Sequence, residues 1–364
     1  MNTPKAILHI CLSKGWGGLE MYPIRVGKEC LERGYQVYGL CVSGTRVAKG
    51  MADVGLETYQ VESKGKLIFS EILKINRWLK ERNIEVIHCH KSGDILISAL
   101  LNILTSRRTL FTEHMGVTRP KKDFYHKWVY SHVDQVLSIS DETLKRNLKA
   151  LPVPENKIER LWLGTDIPDQ PIKDPGLIAE TKKTLHIPES ATVVGTIGRI
   201  CNGKGQRELI QAFQLIANKF EDVHLLIVGG LSESEGADPQ YTIEMKKLAS
   251  ESEYQDRIHL AGFQKDTPAM FSVMDIVCLP YFNEAFGLTA IEAMAAEKAI
   301  VAADTGALPE ILEDSALLCD PKSPIAISEA IKTYLLKPEL KSSNSQRSRE
   351  RAKKNFQWNA IFLS

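Results

Sequence analysis

Nothing in these 364 residues approaches the ~20 consecutive apolar residues that a helix needs to cross a bilayer. The longest apolar run near the start, Ala6 to Leu12, is also too short for a secretory core with its cleavage site, so the chain is expected to stay in the cytosol. Cysteine is sparse and scattered, at positions 11, 30, 41, 89, 201, 278 and 319, without a C-x-x-C pair or an even total. That excludes a disulfide framework and leaves buried, reduced thiols. Low-complexity tracts are missing, and 43% hydrophobic with 25% charged residues describes an ordinary globular chain rather than a disordered one.

Several short motifs are absent too. Without G-x-G-x-x-G a nicotinamide oxidoreductase loses its best support, and without G-x-x-x-x-G-K-[ST] there is no Walker loop. No Asp-x-Asp pair occurs, which removes the commonest short carboxylate arrangement for holding Mg²⁺ or Mn²⁺ on a nucleotide diphosphate. His88 and His90 alternate on one strand face, yet no H-E-x-x-H accompanies them, so no metal site and no cofactor are expected.

What is present is a rhythm. "AILHICL", "YQVYGLCV", "EVIHCH", "TLFTEH", "DQVLSIS" and "IERLWLG" read as strands, separated by stretches with helical apolar spacing. A segment with Pro168, Pro171 and Pro175 interrupts, and then the rhythm restarts with "ATVVGTIG", "VHLLIVGG", "DRIHLAG", "DIVCLP" and "AIVAAD". Helical patterns lie between them at 204–219, 241–253 and 288–297. The length exceeds what one core usually serves. Two tandem α/β domains with Rossmann-like, doubly wound parallel sheets are expected, at 1–170 and 177–346, with their ligands at the carboxyl ends of strands in a central cleft. The aromatic C-terminal segment 347–364 is expected to dock back on the first domain.

Charge is divided between the halves: residues 1–170 carry 25 Lys+Arg against 19 Asp+Glu, and residues 171–364 carry 21 against 26. The basic half could attract an anionic substrate or membrane surface. Within it, Arg107, Arg108, Arg119, Lys121, Lys122 and Lys127 are interleaved with Phe111, Phe124 and Tyr125. That stretch suits either a membrane-facing acceptor site or a solvated loop.

Chemistry concentrates after strands. Gly15, Gly17 and Gly18 allow close backbone approach ahead of a helix start, which fits a phosphate or simply a tight turn. Arg199 and Lys204 flank a turn where two cations suit a diphosphate. Glu113 and His114 end another strand, and a histidine there could hydrogen-bond a substrate hydroxyl or be satisfied by backbone. Glu284 and Glu292 bracket a Gly-containing turn into a helix in "NEAFGLTAIEAMA".

This last motif resembles the signature of the retaining GT-B glycosyltransferases of the family 4 type. Along nearly the whole chain "GGLE", "TEH", "GRICNGKG", "RIHLAGF", "DIVCLP" and "DTGALPEIL" follow in the matching order. The resemblance implies a nucleoside-diphosphate sugar donor and transfer to a glycan or lipid-linked acceptor, as in synthesis of lipopolysaccharide and other cell-surface polysaccharides, with configuration retained and no metal. It places His114 and Glu284 at the transferring sugar, and Gly18, Arg199, Lys204 and the amides of Phe286, Gly287, Leu288 and Thr289 on the donor, with Glu292 at the ribose. Glu20, His90, Arg119, Lys121 and Lys122 are the acceptor-side candidates. The implied enzyme is cytoplasmic, at most peripheral on an anionic membrane, with no nucleic acid partner. The alternative is a GT-B protein that binds sugar nucleotides without transfer, epimerase-like or a scaffold, and the intact motif residues speak against it. Tyr281, where such proteins often carry a small Ser, departs from the pattern and is expected to reshape the loop near the nucleobase.

Overall fold

The computed structural model describes residues 6–363. The chain divides after Thr165 into two compact units. In the first unit seven strands pair in parallel: β1 (Ala6–Cys11), β2 (Gln36–Val42), β3 (Glu57–Val61), β4 (Ile84–Cys89), β5 (Arg108–Glu113), β6 (Gln135–Ser138) and β7 (Ile158–Arg160). Their spatial order is 3-2-1-4-5-6-7. The second unit holds six parallel strands, β8 (Thr192–Ile197), β9 (Val223–Val228), β10 (Ile258–Gly262), β11 (Ile276–Leu279), β12 (Ala299–Ala303) and β13 (Leu317–Cys319), in the order 10-9-8-11-12-13.

Helices on both faces explain the composition of the strands. Every residue of β9 and of β12 is buried, as a parallel strand covered on both sides requires. Leu8, Ile10, Leu40, Ile87 and Val136 centre the first core; Val194, Phe213, Leu225, Ile227 and Val301 centre the second. Two strands have no counterpart among the apolar runs. The first, β3, "ETYQV", is a sheet edge, where half the backbone faces no neighbouring strand and polar residues are tolerated, and the second, β13, is an edge strand of only three residues, "LLC".

Strand order reverses between β1 and β4 in one sheet and between β8 and β11 in the other. Helices leave in opposite directions at such a point and open a crevice beyond the carboxyl ends. The loops there are 12–17 and 90–94 in the first unit, and 198–205 and 280–287 in the second.

Two expectations change. Phe111 is 1% exposed and belongs to the core. Arg107, 7% exposed, donates from Nε to Ile84 O at 3.1 Å and from Nη1 to Asn76 Oδ1 at 3.0 Å. Neither contributes to a basic, aromatic surface, because the sheet and its neighbouring helix turn both side chains inward.

Of the segment 347–364, expected to dock on the first domain, residues 347–355 are the latter half of the helix Pro338–Asn355 in the second unit. Arg349 Nη2 donates to Pro168 O and Asp169 O, each at 2.7 Å, and Arg351 Nε donates to Ile311 O at 2.7 Å. Phe356 is fully buried and meets Phe286 edge-on at 6.1 Å. The proline-rich segment read as a linker is thereby held against the second unit.

Candidate functional site

In the second unit the two loops at the strand-order reversal are locked together. Phe282 N donates to Gly203 O at 2.9 Å, and Gly205, at φ +66°, lies so close to Pro280 that a Cβ would fall 2.2 Å from its carbonyl oxygen. Only glycine fits there. This packing brings Lys204 and Glu284 together: Nζ is 2.6 Å from Oε2, with the two side chains 23% and 20% exposed. Lys204 also lies 3.9 Å above the ring of Tyr281, a cation over a π face. Tyr281 is 1% exposed and donates its hydroxyl to Ile197 O, and burial together with the Glu284 charge pushes that phenol up. The departure noted in the sequence is thus a buried pedestal that holds Lys204 in place.

Glu284 is supported from behind as well. Ala307 N donates to Glu284 O at 2.9 Å, and Gly306 packs its Cα directly on the Glu284 backbone at φ +66°. Gly287, at φ +94°, then caps the helix Leu288–Ala295. The first turn of a helix leaves backbone N–H groups without intrahelical partners and carries partial positive charge. Leu288, Thr289 and Glu292 share the face of that helix that its i, i+3 and i+4 positions define, and Leu288, Thr289 and Glu292 are each half-buried. Phe286 is 3% exposed, so only its backbone can serve a ligand. Arg199, in the same loop as Lys204, is exposed, and its Cδ lies 3.6 Å from where a side chain on Gly236 would begin. A cation and a helix start next to two carboxylates can bind one ligand that is anionic at one end and rich in hydroxyls at the other.

In the first unit Glu20 folds back over its own loop. Its Oε1 accepts from Ser13 Oγ at 2.6 Å, beside Gly15 and Gly17, while Gly18 stays exposed at the helix start. A cavity of about 550 Å³ opens beside this loop, lined among others by His90, Lys91, Glu113, Arg119 and Lys121. Lys122 is exposed outside that lining and Glu20 does not reach it. Met115, Phe124 and Tyr125 are exposed by 66%, 88% and 50% along the same segment.

His114 is buried next to the cavity. Its Nε2 is 3.5 Å from His90 Nδ1, and the Tyr22 ring meets it edge-on at 5.4 Å. Burial, helped by nearby His88, lowers His114 to about 3. A neutral imidazole at physiological pH donates or accepts a hydrogen bond but carries no spare proton. Glu113 is pushed up by burial while it accepts from Met115 N at 3.0 Å.

Sequence alone gives Gly306 no role, and for Tyr281 only the expectation of a reshaped loop, not the contact with Lys204. Gly306 stands within the recognisable "DTGALPEIL", but its left-handed backbone and its contact with Glu284 belong to tertiary structure.

Comparison with known proteins covers both units. The family described as Glycosyltransferase Family 4 matches residues 16–168, and that described as Glycosyl transferases group 1 matches residues 178–354. A lipopolysaccharide core biosynthesis mannosyltransferase, LpcC, from Rhizobium leguminosarum bv. viciae is 25% identical over 81% of this chain and 80% of its own length. A D-inositol 3-phosphate glycosyltransferase of Salinispora tropica is 31% identical, over 49% of this chain but only 38% of that protein. Among solved structures, a glycosyltransferase from Rickettsia africae ESF-5 aligns with a TM-score of 0.89 at 21% identity, covering 99% of this chain and 96% of that one. Anabaena Alr3699/HepE in complex with UDP-glucose aligns at 0.82 and 18%, covering 98% and 97%.

Proposed function

This chain belongs to the GT-B glycosyltransferases of the family 4 type, and from that premise we propose that it moves a sugar from a nucleoside-diphosphate donor to a hydroxyl of a glycan or lipid-linked acceptor, with retention of configuration. The observation that carries this reading is the Lys204–Glu284 pair beside the start of the helix Leu288–Ala295. Lys204 and the helix start offset the negative charge that grows on a departing diphosphate, with Arg199 as a second cation able to swing onto it. Glu284 accepts from the hydroxyls of the transferring sugar and Glu292 from those of the ribose. The amides of Phe286 to Thr289 and of Gly18 complete the donor contacts.

His114 acts as a neutral hydrogen-bonding group at the transferring sugar rather than as an acid. The acceptor hydroxyl attacks from the face that the leaving group vacates, and the leaving phosphate takes its proton. No protein nucleophile is required. A panel of sugar nucleotides, scored by thermal shift and then by product, tests the reading. Stabilisation by one donor with a new glycoside as product is expected; stabilisation without transfer would favour the epimerase-like or scaffold alternative.

Lys204 and the helix start can offset the diphosphate without a bridging cation, so transfer should proceed equally well without Mg²⁺ or Mn²⁺. The check is turnover in buffer stripped of both ions, with and without either restored. Activity that appears only on their return would contradict it.

The acceptor is proposed to reach the cavity of His90, Arg119 and Lys121 from an anionic membrane surface, to which the cytoplasmic enzyme binds peripherally. LpcC, by name, builds a lipopolysaccharide core. Exposed Phe124 and Tyr125 beside Arg119, Lys122 and Lys127 combine apolar wedges with cations, each cation near such a surface being worth ~1 kcal/mol. Vesicle sedimentation should show binding to anionic liposomes at low salt, weakened at high salt and after Arg119, Lys121 and Lys122 are replaced by Ser. Equal sedimentation of that variant, or none with wild type, would leave these charges as solubilising groups only.

A further inference from the structure

Sequence spacing pairs His88 with His90 but says nothing of a third imidazole. The register of β1 against β4 supplies one, because His9 stands opposite His88. Side chains alternate along a strand, so His90 points to the same side. One ring nitrogen from each of the three lies within 4.8 Å of the other two. His9 Nδ1 is 2.9 Å from His90 Nε2, and ring centroids are 5.1 Å apart for His9–His88, 5.2 Å for His9–His90 and 4.1 Å for His88–His90. All are buried, with exposures of 1%, 8% and 1%. His9 Nε2, the nitrogen turned away from His90, has no hydrogen-bond partner. Three imidazoles packed with their ring nitrogens converging, away from water, are a costly way to fill a protein interior.

We propose that His9, His88 and His90 form a tris-imidazole site for a divalent transition-metal ion, Zn²⁺ by preference. Zinc accepts three histidines at ~2.0–2.1 Å and keeps a fourth position for water. Tetrahedral bonds of that length put ligand nitrogens ~3.3 Å apart, so the His9–His90 pair would open slightly while His88 closes in. The ion would take the place of the hydrogen bond between His9 Nδ1 and His90 Nε2, and the proton of that bond would move to the outer nitrogen of the ring that carries it, His9 Nε2 or His90 Nδ1.

The surroundings fit an outer shell. His88 Nε2 is engaged by Thr112 Oγ1 at 2.7 Å, which leaves Nδ1 for the ion. An ion on His90 Nε2 keeps the His90 proton on Nδ1, 3.5 Å from His114 Nε2. His114 would then accept there and present its own Nδ1–H, so the site would set the tautomer of the histidine assigned above to the sugar. His90 also lines the cavity of about 550 Å³, which gives an ion its way in.

The full chain, stripped with chelator and dialysed, would be titrated with Zn²⁺ against a chromophoric chelator and separately with Co²⁺. One equivalent bound at micromolar affinity or tighter, with visible Co²⁺ absorption of tetrahedral intensity, is expected. His9→Ala and His88→Ala should each weaken binding at least about tenfold, whereas His126→Ala, on the cavity rim, should not. Less than half an equivalent in wild type, or unchanged affinity in both cluster variants, would overturn the site. The wild-type titration decides even if a variant fails to fold. Sugar transfer is not read in this experiment, so its failure would leave the glycosyltransferase reading untouched.

Discussion

Lys204→Ala is expected to lower kcat by about 10²–10³-fold, the loss that follows removal of one preorganised group from developing anionic charge. Lys204 is fixed before any substrate arrives, by Glu284 at 2.6 Å and by the Tyr281 ring at 3.9 Å. A group already held in place costs no reorganisation when the leaving diphosphate gathers charge. Lys204→Arg should restore little, because a guanidinium stacked on Tyr281 spreads its charge over a larger planar fork and places it differently on the oxygens that the compact ammonium meets. Initial rates with the preferred donor, together with thermal unfolding to show that the fold is kept, are the check. Retention of more than about a tenth of wild-type turnover in the Ala variant would remove Lys204 from the transition state.

Gly306→Ala should be nearly as damaging, although residue 306 touches no substrate. A Cβ there would sit 2.5 Å from Glu284 O and 2.8 Å from Glu284 N, and neither backbone atom can yield without moving the carboxylate. Left-handed strain in a non-glycine residue costs about 1–3 kcal/mol, and a displacement near 1 Å at a reacting centre can cost about 10²-fold in rate. Gly34→Ala is the control. It has φ +83° and nothing within 4 Å of the added carbon, so it should bear the conformational strain without the loss of rate. If both variants lose stability equally and keep activity, Gly306 serves only its turn.

The residues needed for these arguments were legible in the sequence to different depths. Fully buried strands such as β9 and β12 announce themselves because a parallel sheet covered on both faces demands unbroken apolar runs. β3 and β13 do not: β3 is a half-exposed edge strand with a polar sequence, ETYQV, and β13 is only three residues long. Glu284 and Glu292 are visible in one local motif and Lys204 in a separate one, "GRICNGKG". What the motifs could not supply was the support beneath them: Tyr281 under Lys204 and Gly306 behind Glu284 are contacts between segments distant in sequence. The same limit applies to Arg107, whose charge reads as surface until Ile84 O and Asn76 take it inside. Likewise His9 joins His88 only through strand register, across 79 positions of chain.

The division of labour between the two glutamates is the central claim, and titration with the nucleoside diphosphate of the preferred donor tests it most directly. Glu292→Ala should lose ~1–3 kcal/mol of binding, roughly 5- to 150-fold in Kd, because a ribose hydroxyl pair loses its acceptor. Glu284→Ala should bind the same sugar-free nucleotide about as well as wild type while its turnover falls. Calorimetry on the three proteins, with kcat measured alongside, gives the answer. Equal losses of nucleotide affinity in both variants would contradict the account.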